Sequence, residues 1–478
     1  MLSPPRLSSF ATPAVRPKYT GGHQSSCFPS VSCARCVGVP VTIARQRGFA
    51  VLQQPADALR RASDWAVRQR RWLLLGLFAL GLIPRLALVA ARAEDLQPWE
   101  YETLAQSIAA GNGYVISRFG HLVLAFGDGN LYSFLAGALY AVFGHTPVLL
   151  AMVQAVLAAF VAPVIFAVGE RPFGAGIAAL GAVLAALHPG LLAYSLKLHP
   201  LGLDVLLLAL LVLWTTRGRW TRGSGFLTGV TLGLNLMTRP TFFLAGLAAL
   251  SVRWFARRAS SRQMIAVIAL GLAVGAPWVA RNWLFLGRPL LISTSFEDVW
   301  KGNNPMSSGS SWLAPGQDVF GAAPIDLRNR IWHADELQAN DVFAQETLSF
   351  IEQRPEQFAS LFARKFVYFW WLPQPAGLLY PPSWLATYQV YASVVYAFAA
   401  VGIVGILWGG TAEERNLLST LAAVGFSLAV IHALAYVEGR HRWGLEPLLL
   451  LLTARGMVAV LGLLVGSQSR LLRRQSER

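Results

Sequence analysis

WLLLGLFALGLIPRLALVAA, residues 72–91, is an apolar run whose only charge is Arg85. A helix of about 20 residues rises roughly 30 Å, the thickness of a bilayer's hydrocarbon core. Similar runs recur at about 131–143, 148–168, 174–187, 201–216, 224–237, 240–252, 263–285, 387–408, 416–436 and 444–465. The 478-residue chain is 55% hydrophobic and 13% charged. Soluble domains average about 25% charged. These observations predict an all-α, polytopic integral membrane protein with about 10–12 transmembrane helices.

The net charge is +16, but the cations fall in short groups beside apolar runs. That is the pattern of cytoplasmic anchors and not of a nucleic-acid-binding surface. Lysine is scarce: Lys18, Lys197, Lys301 and Lys365 are the only four. Three cysteines, Cys27, Cys33 and Cys36, all lie early. CARC (33–36) has the spacing of half a zinc site, and no second pair completes it.

Residues 1–64 are basic, rich in Ser and Pro, and without apolar periodicity, so they read as a disordered tail. A transmembrane core follows at 65–285, with a first outer loop at 92–130. A second outer region, 286–386, has apolar residues at helical spacing and should form amphipathic juxtamembrane helices. Transmembrane helices resume at 387–466, and 467–478 is a short tail. Basic clusters at 60–71, 217–222, 253–262 and 470–474 place these segments, and both termini, in the cytoplasm. The loops at 92–130, 188–200, 238–240, 286–386 and 437–443 then face outside. Eleven spans do not satisfy that parity, and the short run 131–143 is the one expected to lie along the membrane or dip into it.

LQPWEYETLAQSIAAGNGY (96–114) is the polar stretch that the apolar frame does not explain. Tyr101, Leu104, Ala105 and Ile108 make the apolar stripe of a helix. Pro98 suits its first turn and Gly111 its end. Glu100 then sits in the first turn at the outer surface. An acid there is favoured by the helix dipole alone, so its meaning rests on what shares its face. Lys197, His199 and Asp204 gather at the mouth of one apolar run. Arg239, Arg281, Arg440 and Arg442 lie at outer ends of others, and Arg85 is in the outer half of the first. A lone interfacial arginine is ordinarily an anchor. Several cations converging on one side suit a phosphate.

In order along residues 72–465 stand EYETLAQSIAAGNGY (100–114), LYSFLAGALYAVFG (131–144), HPGLLAYS (188–195), LMTRP (236–240), PWVARNWLFLGRPLLIST (277–294), VWKGNNP (299–305) and RHRWGLEPLLLLL (440–452). With these the chain resembles the GT-C glycosyltransferases that use polyprenyl-phosphate-linked sugars, in particular the protein O-mannosyltransferase-like and aminoarabinose-transferase-like proteins. The resemblance implies a bacterial inner-membrane enzyme. It would transfer a sugar with inversion from a polyprenyl-phosphate carrier to a glycan, lipid or protein acceptor at the outer face. An acid of the first outer loop would be the base. The family's usual acid falls at Gln97 or Pro98 here, which moves the role to Glu100, with Asp95 second. Asp128, in FGDGNLYSF (126–134), is an added acid. Donor-phosphate ligands are expected among Arg85, Lys197, Arg239, Arg281, Arg440 and Arg442. Tyr101, His199, Asp204, Lys301, Asn303 and Asn304 are expected to bind substrate. Some relatives hold a divalent metal ion between carboxylate and phosphate, but the first outer loop has no D-x-D. The alternatives are a ligase or polymerase of lipid-linked glycans, and a lipid or sugar transporter, which would more often show internal repeats.

Overall fold

The computed structural model describes residues 67–218 and 220–476, the side chains of 374, 376 and 465–476 excepted. The tail 1–64 and its CARC motif lie outside them. Among the described residues the protein is all-α apart from two small hairpins. Ile116–Arg118 pairs antiparallel with His121–Val123, and Trp312–Ala314 with Gln317–Asp318.

Among the described residues seven helices are long and apolar enough to cross a membrane: Arg70–Ala91, Pro147–Phe173, Ala175–Leu196, Ser261–Leu286, Pro382–Gly409, Ala412–Leu434 and Glu446–Leu464. The shorter Leu201–Thr216, Arg222–Thr238 and Pro240–Phe255 complete the path between them. Side-chain oxygens fix several starts. Thr221, Ser260 and Thr411 each accept the N–H three residues on, in reciprocal capping boxes. Helices meet through small residues. At Gly402 a Cβ would lie 2.2 Å from the Leu452 carbonyl, and at Gly456 1.8 Å from that of Phe398. Only glycine permits this approach between Pro382–Gly409 and the last helix.

The turns sort to two ends. At one, Arg70 pairs with Glu170 at 3.0 Å, Arg258 with Glu413 at 3.3 Å and Arg455 with Glu414 at 3.0 Å. At the other, the Gln97 N–H donates to the Leu196 carbonyl at 2.8 Å and the Gly129 N–H to that of Thr238 at 2.6 Å. The described basic clusters thus share an end, and the expected outer loops share the opposite one. Asn130–Phe143 settles the parity. Gly129, before it, packs on Tyr101, and His145, after it, bonds Glu102 at 2.6 Å and Gln106 at 3.1 Å. Both its ends touch the helix Glu100–Ala109, so it stays at that end and does not cross.

Two boundaries differ from expectation. The helix after the second outer region begins at Pro382, not 387, and the last helix continues to Ser476 through the expected tail. Regularity persists there because nothing between 467 and 476 is a glycine or proline.

The second outer region forms Ile325–Trp332, Glu336–Gln353 and Pro355–Trp370. Trp300, Val319, Leu327, Ile331 and Phe343 give it a small core of its own, against which Phe119 of the first hairpin packs. Glu336 accepts the N–H groups of Leu124 and Ala125, each at 2.7 Å, and the Ser293 hydroxyl. One buried carboxylate thereby joins the two outer regions into a single cap.

With the three native cysteines replaced by serine, a cysteine at the exposed Asp326 should react with an impermeant reagent from outside. One at the exposed Arg262 should react only after permeabilisation. Labelling of both positions from the same side would overturn this path.

Candidate active site

Beneath the cap lies a cavity of about 230 Å³. Four carboxylates line it, Glu100, Asp128, Glu297 and Asp298, with four cations, Arg118, Arg239, Lys301 and Arg440. Glu100 is the first residue of its helix, with Trp99 as N-cap, so Pro98 stands just outside the helix and not in its first turn. Tyr101, Leu104 and Ala105 are buried, which fixes the helix's roll. Glu102, one position further round, is spent on His145. Gly111, at φ 81°, ends the turn that follows.

The carboxylates are not equivalent. Asp128 accepts the Tyr101 hydroxyl at 2.7 Å and pairs with Arg239 at 3.2 Å. Glu297 pairs with Arg118 and, at 3.0 Å, with Lys301. Asp298 pairs with Lys301 at 2.9 Å. The Glu100 carboxylate has no hydrogen bond or ion pair to any described residue, although Arg118 lies near enough to feel its charge, and the residue is half-buried.

The cations are held from behind. Asp204, fully buried, takes Arg239 Nε at 2.9 Å. Arg440 pairs with Glu438 and donates to the Tyr436 hydroxyl at 3.2 Å. Burial opposes the charge on Lys301, but Asp298 and Glu297 more than reverse this and hold its pKa above the ordinary value. Burial likewise opposes Arg440, and Glu438 with Tyr436 raises it. Burial, with His432 and Arg440 nearby, pushes His441 well below the ordinary histidine range, so that cavity ring is neutral. Burial, Asp128 and Glu100 keep the Tyr101 phenol protonated.

Of the residues expected from sequence, Glu100, Tyr101, Arg239, Lys301 and Arg440 meet in this cavity. The others do not. Asp95 is exposed and paired with Arg92, beside a separate surface depression. Lys197 lines that depression too, over the rings of Tyr194 at 5.0 Å and Trp99 at 5.6 Å. Burial and Arg440 push its amine down to about 8. Arg85 donates to the Gly81 and Ala186 carbonyls between helices. Arg281 bonds the Leu124 and Tyr114 carbonyls and Asn282, fastening the opening loop. Arg442 lies in a closed buried network, 2.7 Å from Glu446 and 2.7 Å from the Tyr388 hydroxyl, and His188 bonds the same Glu446 at 2.5 Å. None of these four cations lines the cavity: Arg85, Arg281 and Arg442 are engaged by carbonyls, Asn282, Tyr388 or Glu446, and Lys197 lies over aromatic rings.

Among the expected substrate ligands, Asp204 acts through Arg239. His199 packs on Trp99 and Tyr101 and accepts the Leu201 N–H at 3.1 Å. Asn303 donates to the Val299 and Leu434 carbonyls, both at 2.7 Å, and Asn304 to that of Trp300 at 2.8 Å. These amides fold the 299–306 turn and are not free for substrate.

Sequence reading missed Arg118, Glu297, Asp298 and Lys365. Glu297 and Lys301 are an i, i+4 pair, a readable signal. Lys365 was one of only four lysines. Fully buried, it donates to the Gly302 carbonyl at 3.0 Å, Asn303 Oδ1 at 2.7 Å and the Ala435 carbonyl at 2.8 Å. Arg118 sits in a hairpin turn where nothing local announces that it reaches Glu297.

Neither the comparison with protein-family models nor that with curated proteins finds a match. Two solved structures are similar. The archaeal oligosaccharyltransferase AglB from Archaeoglobus fulgidus, in complex with an inhibitory peptide and a dolichol-phosphate, has a TM-score of 0.47 at 14% identity, over 86% of this chain and 52% of that one. This chain therefore spans about half the length of that oligosaccharyltransferase. ArnT from Cupriavidus metallidurans, bound to undecaprenyl phosphate, has a TM-score of 0.39 at 15% identity, over 83% of this chain and 79% of that one. Likeness at this level leaves function to be argued from the chain's own residues.

Asp204→Ala would leave Arg239 buried with one partner fewer, and unfolding in detergent should show a loss of about 3–5 kcal/mol. Tyr101→Phe, which removes one hydrogen bond, should cost only about 1–2 kcal/mol. Equal losses in the two variants would mean that Arg239 does not depend on Asp204.

Proposed function

We propose that the protein is a glycosyltransferase that moves a sugar from a polyprenyl-phosphate carrier to an acceptor hydroxyl in this cavity. The observation that carries this reading is Glu100: alone among the four cavity carboxylates it is unpaired, and it faces a ring of fixed cations. Glu100 takes the proton of the acceptor hydroxyl. The acceptor oxygen then bonds to the anomeric carbon as the bond from that carbon to the phosphate oxygen breaks. Attack opposite the leaving group inverts the anomeric centre, and the lipid phosphate departs with the bonding electron pair. Such a leaving group needs charge stabilisation and no proton. Lys301 and Arg440 are placed to supply it.

The lining is formally balanced, four acids against four cations. A bound phosphate therefore has to exchange with a carboxylate partner, and each contact is worth the low end of a charge-assisted bond. A divalent metal has no ready donor set. Asp128, Glu297 and Asp298 are each held by a cation. No group of three or more His, Cys, Asp or Glu side chains suited to a metal occurs among the described residues. In this reading, which follows the orientation expected from the basic clusters, the cavity opens at the outer face of the membrane.

Glu100→Gln keeps the shape of the side chain but cannot take a proton. Turnover, followed as lipid phosphate released from a panel of polyprenyl-phosphate sugars, should fall about 100- to 10,000-fold, the usual contribution of a general base. Donor binding should persist. Arg440→Ala should weaken donor binding about tenfold, whereas Arg281→Ala should leave it unchanged. Near-normal turnover of Glu100→Gln would remove the base from this reading.

A further inference from the structure

The end of the bundle away from the cavity carries a second opening, of about 1040 Å³, whose walls include Trp220, Trp254, Phe255, Arg257, Arg258 and Glu413. Its floor is built and fixed. Arg253, 2% exposed, donates to the carbonyls of Thr215 at 2.7 Å, Arg217 at 2.6 Å and Gly218 at 2.5 Å. The same guanidinium stacks 4.4 Å from the Trp220 ring centre. The Trp220 indole donates to the Trp214 carbonyl at 3.0 Å, and the Trp254 indole to the Ser261 hydroxyl at 3.1 Å.

The charges in this groove are unequal in their freedom. Glu413 is taken up by Arg258 at 3.3 Å and approached by Arg171 at 4.0 Å. The Arg257 guanidinium is exposed and has no hydrogen bond or ion pair to any described residue; only the backbone N–H is engaged, with the Trp254 carbonyl at 2.9 Å. Trp254 and Phe255, beside it, are 44% and 74% exposed. A free guanidinium over an open aromatic edge presents an anion contact and an apolar contact together.

The backbone at Arg257 is the second observation. Its φ is 54°, in the left-handed region. It follows the helix Pro240–Phe255, where the Arg258 N–H reaches back to the Arg253 carbonyl at 3.0 Å. That closure ordinarily uses glycine, because a side chain is strained there. The chain keeps a cation at a position where its own backbone favours having no side chain.

We propose that this groove binds the headgroup of an anionic phospholipid. Arg257 meets the phosphate, and Trp254 and Phe255 lie against the adjoining methylenes. A bare anion would have no use for the two exposed rings, and a zwitterionic headgroup would bring its own cation towards Arg257, Arg258 and the neighbouring Arg262. Basic pockets between transmembrane helices on the cytoplasmic side are suited to such headgroups. The site is independent of the transfer chemistry at the opposite end.

The test uses the full chain in neutral detergent, titrated with dioctanoyl phosphatidylglycerol, dioctanoyl phosphatidylcholine and inorganic phosphate, with bound lipid read by native mass spectrometry. The phosphatidylglycerol should bind more tightly than the phosphatidylcholine, and inorganic phosphate at matched concentration should not displace it. Arg257→Gly relaxes the turn, so the lipid-free melting temperature should hold or rise while phosphatidylglycerol affinity falls about tenfold or more. Arg257→Gln, which keeps a polar side chain but no charge, should lose affinity equally. Undiminished binding in both variants, equal affinity for phosphatidylcholine, or displacement by inorganic phosphate would each overturn the proposal.

Discussion

Asp204 reaches Arg239 at 2.9 Å in a place where both side chains are shut off from water. Taking two ions out of water costs several kcal/mol each, so they are retained only with good geometry and further partners. Arg239 finds its further partner in Asp128, and Asp128 in the Tyr101 hydroxyl. This chain of bonds runs from the helix Leu201–Thr216, through the turn at 239, to the loop 126–129, and ends on the first turn of the helix bearing Glu100. The position of Glu100 is thus fixed through the adjacent Tyr101 and not by a bond to its own carboxylate. Its own carboxylate is left without a partner because its neighbours have satisfied one another.

The frame was legible in the sequence because it follows from composition. Apolar runs of the right length cross, and basic turns between them gather at one end. Asn130–Phe143 was legible as the exception because it is short. What kept it from crossing could not be seen, since the contacts of Tyr101 and His145 join residues that local periodicity does not relate. The site was legible only in part. Arg239, Arg281, Arg440 and Arg442 look alike in sequence, each at an outer helix end. The structure separates them by partner: Arg442 is closed off by Glu446 and Tyr388, and Arg281 by backbone carbonyls, whereas Arg239 and Arg440 keep a face on the cavity. Residue type names a chemistry, but which acid or carbonyl occupies a cation is a long-range fact.

Lys365 shows the same lesson from the other direction. Its ammonium joins the carbonyls of Gly302 and Ala435, and Gly302 approaches that strand of chain so closely that a Cβ would stand 1.7 Å from the Ala435 oxygen. The turn carrying Lys301 and the segment carrying Tyr436 and Arg440 are therefore one wall. The wall's rigidity comes from a buried lysine outside the cavity, a residue that scarcity alone had marked.

That rigidity bears on how a charge-balanced cavity can act on a charged substrate. If the cations were mobile, an incoming phosphate could draw them away from their carboxylates and collapse the site around itself. Here Arg239 is anchored by Asp204, Arg440 by Glu438, and the Lys301 turn by Lys365 and the amides of Asn303 and Asn304. The donor phosphate must come to the cations, exchanging one oxygen contact for another, and the ground state gains little from the exchange. The gain is larger when charge develops on the phosphate as its bond to the sugar breaks, since fixed dipoles and charges stabilise a developing charge without reorganising. A cavity whose charges are already paired and held is therefore poorly built to bind a phosphate tightly and well built to favour its release as a leaving group.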